Sequence, residues 1–159
     1  MRVSLPTILC LASAATLSVA LMAQYGFDLY PCELCIQQRY PYVGVIVLAA
    51  VAMALPCYRA YLLWGCAAFF LAGAGLAIEH VGVEQDWWES ASGCTAHTNA
   101  GATLDELRAM IAASPLVSCS DPAAVILGLS LAAWNAIVAM SLAGLTLYHL
   151  LKKIHANQN

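Results

Sequence analysis

The chain is short of charge. Of its 159 residues only 9% are Asp, Glu, Lys or Arg, where a soluble domain carries about 25%. So few charges cannot cover a surface that faces only water, and much of it must face lipid. The six Lys and Arg form no basic patch, so nucleic acid is excluded as a partner. No internal repeat, low-complexity tract or second domain is visible, and the length suits one domain.

What is present is apolar, at 62% of residues. Four stretches stand out: Leu5–Ala23, Ile36–Leu55, Tyr61–Val83 and Ala123–Leu151. Each reaches the ~20 residues that a spanning helix needs. The first follows Arg2, and Ser18-Val19-Ala20 resembles a signal cleavage site. Its apolar run exceeds a signal core of roughly 7–15 residues, so it is read as a retained anchor. The fourth is longer than a span requires, which predicts tilt or an interfacial start. Asn135 within it is expected to hydrogen-bond a neighbouring helix. The third is rich in Gly and Ala, which lets helices approach closely.

Charge sets the orientation. Arg2, Arg59, Lys152 and Lys153 fall at one set of ends, and the acidic residues lie at the other. The positive-inside rule places both termini in the cytoplasm and the loops 24–35 and 84–122 outside. Arg39 and Arg108 oppose the bias. Tyr25, Phe27, Tyr30, Tyr40 and Tyr42 gather at the outer boundary, as an interfacial aromatic belt does. In the second outer loop, Thr103-Leu-Asp-Glu106 reads as an N-cap opening a short amphipathic helix.

The seven cysteines divide along the same line. Cys10 and Cys66 lie inside spans and read as small apolar residues. Cys57 is in the cytoplasmic turn. Cys32, Cys35, Cys94 and Cys119 are outside, where disulfides persist. A Cys94–Cys119 bridge would close a long ring worth roughly 3–4 kcal/mol, which suits a staple or a relay. A Cys32–Cys35 bridge would be worth roughly 2 kcal/mol at most before strain. Weak, exposed disulfides are the reactive ones, so Cys32-x-x-Cys35 reads as a reaction centre. In a helix, Cys35 and Arg39 share a face at i,i+4, and a cation there favours a thiolate or an anionic reduced cofactor. Snorkelling of Arg39 to lipid phosphate is the plainer alternative. Pro41 predicts a helix start or kink nearby. Glu79-His80 is either a proton relay or an ordinary interfacial pair. Two other functions fit the cysteines: a scaffold stapled by two disulfides, and a zinc site from Cys32, Cys35, Cys94 and His97.

Taken together these residues resemble the DsbB family of disulfide bond formation proteins, bacterial inner-membrane oxidases. The resemblance rests on four spans, Pro31-Cys-Glu-Leu-Cys-Ile-Gln-Gln-Arg39, the Cys94/Cys119 pair, and Leu127-Gly-Leu-Ser-Leu-Ala-Ala-Trp-Asn135. It implies an all-α membrane protein: a four-transmembrane-helix bundle with a long periplasmic loop carrying a short interfacial helix. It also implies a quinone-dependent enzyme that reoxidises DsbA, a periplasmic thioredoxin-fold dithiol oxidase. Ubiquinone or menaquinone would be the acceptor. Cys94 would take the attack of the partner, Cys119 would then attack Cys32, and Cys35 would face the quinone. Arg39 and His80 would support quinone binding. The chain departs from the family in lacking an aromatic residue within Ser120–Val125. A reductase with a fused thioredoxin domain is disfavoured by the single uninterrupted domain.

Overall fold

The computed structural model describes residues 4–88, residue 103 and residues 118–158. The expected interfacial helix after Thr103 lies outside the described residues, as does Cys94. The first helix, α1, runs Leu5–Gly26 with a proline in its first turn, where the missing N–H costs nothing. A five-residue helix, α2 (Glu33–Gln37), precedes α3 (Arg39–Ala54). A 3-10 turn at Pro56–Tyr58 leads into α4 (Arg59–Glu84). The last helix, α5, spans Leu131–Gln158. Four helical segments are long and apolar enough to cross a membrane. The protein is an all-α, multi-pass membrane protein.

Two boundaries differ from the sequence reading. The second span is broken at Gln38, between α2 and α3. Pro41 explains the site of the break, because it has no N–H to bond one turn back. The fourth span starts at Leu131 and not at Ala123. The residues before it form a hairpin, with β1 (Val125–Ile126) antiparallel to β2 (Leu129–Ser130). Its two turn residues, Leu127 and Gly128, both have positive φ, at 53° and 80°. That is the geometry of a tight hairpin turn, which leucine seldom adopts. The indole of Trp134 on α5 donates to the Ile126 carbonyl at 3.0 Å and ties the hairpin to the helix.

The bundle is built around α4, which packs along α3 and α5, while α1 packs on α3. Its core joins Leu9, Val45, Leu63, Phe70, Ala143 and Leu150. Close approach depends on small residues, as expected in lipid. A Cβ added at Gly73 of α4 would lie 3.2 Å from the Pro41 ring of α3. Large apolar side chains such as Leu11, Val47 and Leu71 point outward, the pattern of a surface solvated by acyl chains.

Candidate active site

Cys32 caps α2. Its sulfur accepts the Cys35 backbone N–H at 3.4 Å and lies in hydrogen-bond contact with the Cys35 sulfur at 3.1 Å. Both cysteines are free thiols. Cys119 is disulfide-bonded and fully buried. It packs in one apolar cluster with Cys32, Leu34 and Val83, and Cys35 lies against that cluster. Three of the four cysteines expected on the outer side are therefore gathered at one point.

His80 of α4 reaches the same point. It is buried, with Nε2 3.5 Å from the Cys32 sulfur. A directed chain of hydrogen bonds fixes its tautomer. The Tyr42 hydroxyl donates to Asn135 Oδ1 at 2.6 Å. Asn135 Nδ2 donates to Gln38 Oε1 at 2.5 Å. Gln38 Nε2 donates to His80 Nδ1 at 2.8 Å. With Nδ1 accepting, the proton sits on Nε2 and faces Cys32. Glu84 Oε1 lies 3.7 Å from the same nitrogen.

These donors act on one sulfur. The Cys35 thiol, first, and then His80 and the Cys35 N–H hold the Cys32 thiol far below its ordinary range, down to about 4, against the opposing effect of burial. These contacts favour the Cys32 thiolate, and thiolates are the reactive form.

Beside the pair lies a cavity of about 380 Å³ between α1, α3 and α5. Its wall is apolar except for a cluster formed by Cys35, Gln38, Arg39, Tyr42, His80 and Asn135. Cys35 borders the cavity and Cys32 does not. Arg39 turns inward: Nη1 donates to Gln24 Oε1 at 2.7 Å. Its Nε is buried with no hydrogen-bond partner among the described residues. Arg39 is half-buried on the cavity wall.

The chain matches the family model for disulfide bond formation protein DsbB over residues 2–149. It belongs to the DsbB family. Disulfide bond formation protein B of Saccharophagus degradans is 28% identical over 141 residues, 84% of each chain. That of Cupriavidus metallidurans is 26% identical over 141 residues, 82% of this chain and 81% of the relative. A Rickettsia prowazekii protein, RP370, is 28% identical over 137 residues, covering 85% and 80%. No solved structure matches the chain. DsbB membership makes the protein a membrane oxidoreductase of disulfide bond formation.

Against the sequence reading, Cys32, Cys35, Cys119, Arg39 and His80 converge on this site. Glu79 does not join His80; Glu84 does. Tyr42 is no belt residue, being 2% exposed in the core against the Phe70 ring. Asn135 bonds other helices as expected. Gln38, Tyr42 and Glu84 were missed, and only their position near the Cys-x-x-Cys motif and His80 could have marked them. The zinc set includes Cys94 and His97, outside the described residues. Among the described residues, the one metal-capable group is Cys32, Cys35 and His80, with donor atoms within 4.8 Å of one another.

The amide chain carries its own prediction. Asn135→Leu leaves the Tyr42 hydroxyl and Gln38 Oε1 buried without partners, at a cost of roughly 1–3 kcal/mol each. Thermal unfolding in detergent should show a clear drop in Tm, and the His80 ring should lose its single tautomer in nitrogen NMR.

Proposed function

We propose that this DsbB-family chain is a protein-thiol:quinone oxidoreductase of the bacterial inner membrane. It reoxidises a DsbA-like periplasmic dithiol protein through two cysteine pairs. Both termini are cytoplasmic and the four cysteines are periplasmic. The observation that carries the reading is the placement of Cys35, which borders the apolar cavity and also touches the buried cluster of Cys32 and Cys119. In this reading Cys35 would meet a lipid-soluble acceptor and Cys32 would exchange with Cys119.

The cavity suits a quinone head. It is apolar, it opens among membrane helices, and about 380 Å³ falls in the range of small-ligand sites. The unpartnered Nε of Arg39 is a buried donor in want of an acceptor, and a quinone carbonyl is one. Arg39 would hold the ring, with His80 beside it. A bound ubiquinone or menaquinone supplies a two-electron, two-proton acceptor.

The thiol steps balance within the chain. A partner thiolate attacks Cys94 of a Cys94–Cys119 disulfide, forming a mixed disulfide and releasing Cys119 as thiolate. Cys119 attacks Cys32 of the Cys32–Cys35 disulfide, and Cys35 leaves as thiolate toward the cavity. The second partner thiol attacks its own mixed-disulfide sulfur, freeing the partner oxidised and Cys94 as thiolate. Cys94 attacks Cys119 and restores the loop disulfide, releasing Cys32. The net result is one partner dithiol oxidised and one Cys32–Cys35 disulfide reduced to the dithiol. Cys35, once it has taken up the proton given up by the partner's second thiol, and His80 Nε2–H then stabilise Cys32 as the leaving thiolate.

The test is anaerobic turnover. Detergent-purified protein, a soluble quinone and a reduced DsbA-like protein should consume one quinone per disulfide formed. Quinone loss that does not depend on the dithiol protein, with the enzyme folded, would overturn the reading.

A further inference from the structure

A second cavity, of about 300 Å³, lies at the other end of the bundle. It sits between the start of α4 and the end of α5. By helix rise it is roughly 30 Å along α4 from His80, so it is separate from the redox site. Its wall carries the cations Arg59, Lys152 and Lys153, with the His149 ring beside them. Its floor is Leu63 and Leu150, both buried. His149, Lys152, Lys153 and Ala156 are spaced i, i+3, i+4 and i+7, so α5 presents one face to it.

No acid answers these cations. The nine acidic residues all lie in or beside the two loops at the cysteine end. Among the described residues no ion pair forms here. Arg59 Nε is buried with no hydrogen-bond partner among them. A buried guanidinium edge beside two lysines, over an apolar floor, calls for an anion with an apolar attachment. The level of the pocket says which anion is at hand. Tyr58, Tyr61, Trp64 and Tyr148 are exposed around this end, the residues that settle among headgroups. Basic pockets between membrane helices on the cytoplasmic side bind acidic phospholipid headgroups.

We propose that this pocket is a binding site for the phosphate headgroup of an anionic membrane lipid. Arg59 donates to the phosphate through its planar fork, and Lys152 and Lys153 close over it. Leu63 and Leu150 carry the glycerol end toward the acyl layer. The proposal rests on the membrane fold and not on the quinone reading, and either can fail alone.

The test uses the full chain in nanodiscs of phosphatidylcholine with and without phosphatidylglycerol, and phosphatidylcholine discs with added inorganic phosphate. Thermal melting and native mass spectrometry read the outcome. Phosphatidylglycerol should raise the Tm and remain bound on release from the disc. Arg59→Gln should weaken retention roughly ten-fold or more, as loss of a charge-assisted bond does. Ala60→Trp fills the pocket and leaves every cation in place, and it should abolish retention as well. Retention unchanged in both variants overturns the proposal. Loss in Arg59→Gln alone also overturns it, since general surface attraction then suffices. Equal stabilisation by inorganic phosphate would make this a free-anion site and overturn the lipid assignment. Wild-type melting of both variants in detergent confirms that they fold.

Discussion

Cys35→Ser should stop turnover after a single exchange. The variant keeps the Cys94/Cys119 pair, so it should oxidise one equivalent of dithiol partner and then halt. Steady quinone consumption should fall roughly a thousand-fold or more, because among the described residues Cys35 is the one cysteine that borders the cavity. Serine replaces sulfur with little change of volume at a half-buried position, so insertion and melting should match wild type. Continued turnover in this variant would mean that Cys35 does not deliver electrons to the acceptor.

The second large effect is on the pH dependence of the Cys32–Cys35 potential. A dithiol that keeps both protons changes by about 59 mV per pH unit, and one that keeps a single proton changes by about 30 mV. Cys32 has its pKa pulled down to about 4, so between pH 5 and the ordinary thiol range near 8.5 the slope should be about 30 mV per unit. It should steepen below about pH 4. The sign for stability follows the same shift. A depressed thiol pKa stabilises the folded, reduced protein fully above the ordinary thiol range. That contribution declines as pH falls and is gone once Cys32 is protonated near 4. His80→Ala removes the Nε2–H that faces Cys32. It should raise the Cys32 pKa and make the pair more reducing, since destabilising the reduced form lowers the potential. Glutathione titration followed by alkylation measures both effects. A slope near 59 mV per unit in wild type would refute the thiolate assignment.

The pattern of apolar stretches made the bundle legible, and the cysteine spacing made the redox pair legible. Those signals are one-dimensional. The supporting network is not. Gln37 and Gln38 are the same residue type side by side, yet Gln37 bonds Glu33 at the surface while Gln38 is buried between His80 and Asn135. Tyr40 is 66% exposed and Tyr42 only 2%. Residues two apart on a helix point to different sides, and which side is inward depends on how the broken second span crosses α4 and α5. The hairpin before α5 was illegible for another reason. Two-residue strands carry no periodicity, and Leu127 is not a residue expected at positive φ. Arg39, for which sequence left two fates open, is bonded to Gln24 and lines the cavity.

The central claim is that the Cys32–Cys35 pair passes electrons straight to quinone. Protein with the Cys32–Cys35 pair reduced and the Cys119 disulfide intact, free of partner, would be mixed anaerobically with a soluble quinone, and its thiols trapped by a mass-tagging alkylator. The account predicts that Cys32 and Cys35 disappear together as alkylatable thiols, with one quinone lost per protein, while Cys10, Cys57 and Cys66 are unchanged. Full alkylation of Cys32 and Cys35 after mixing, with the quinone intact and the protein folded, would contradict it.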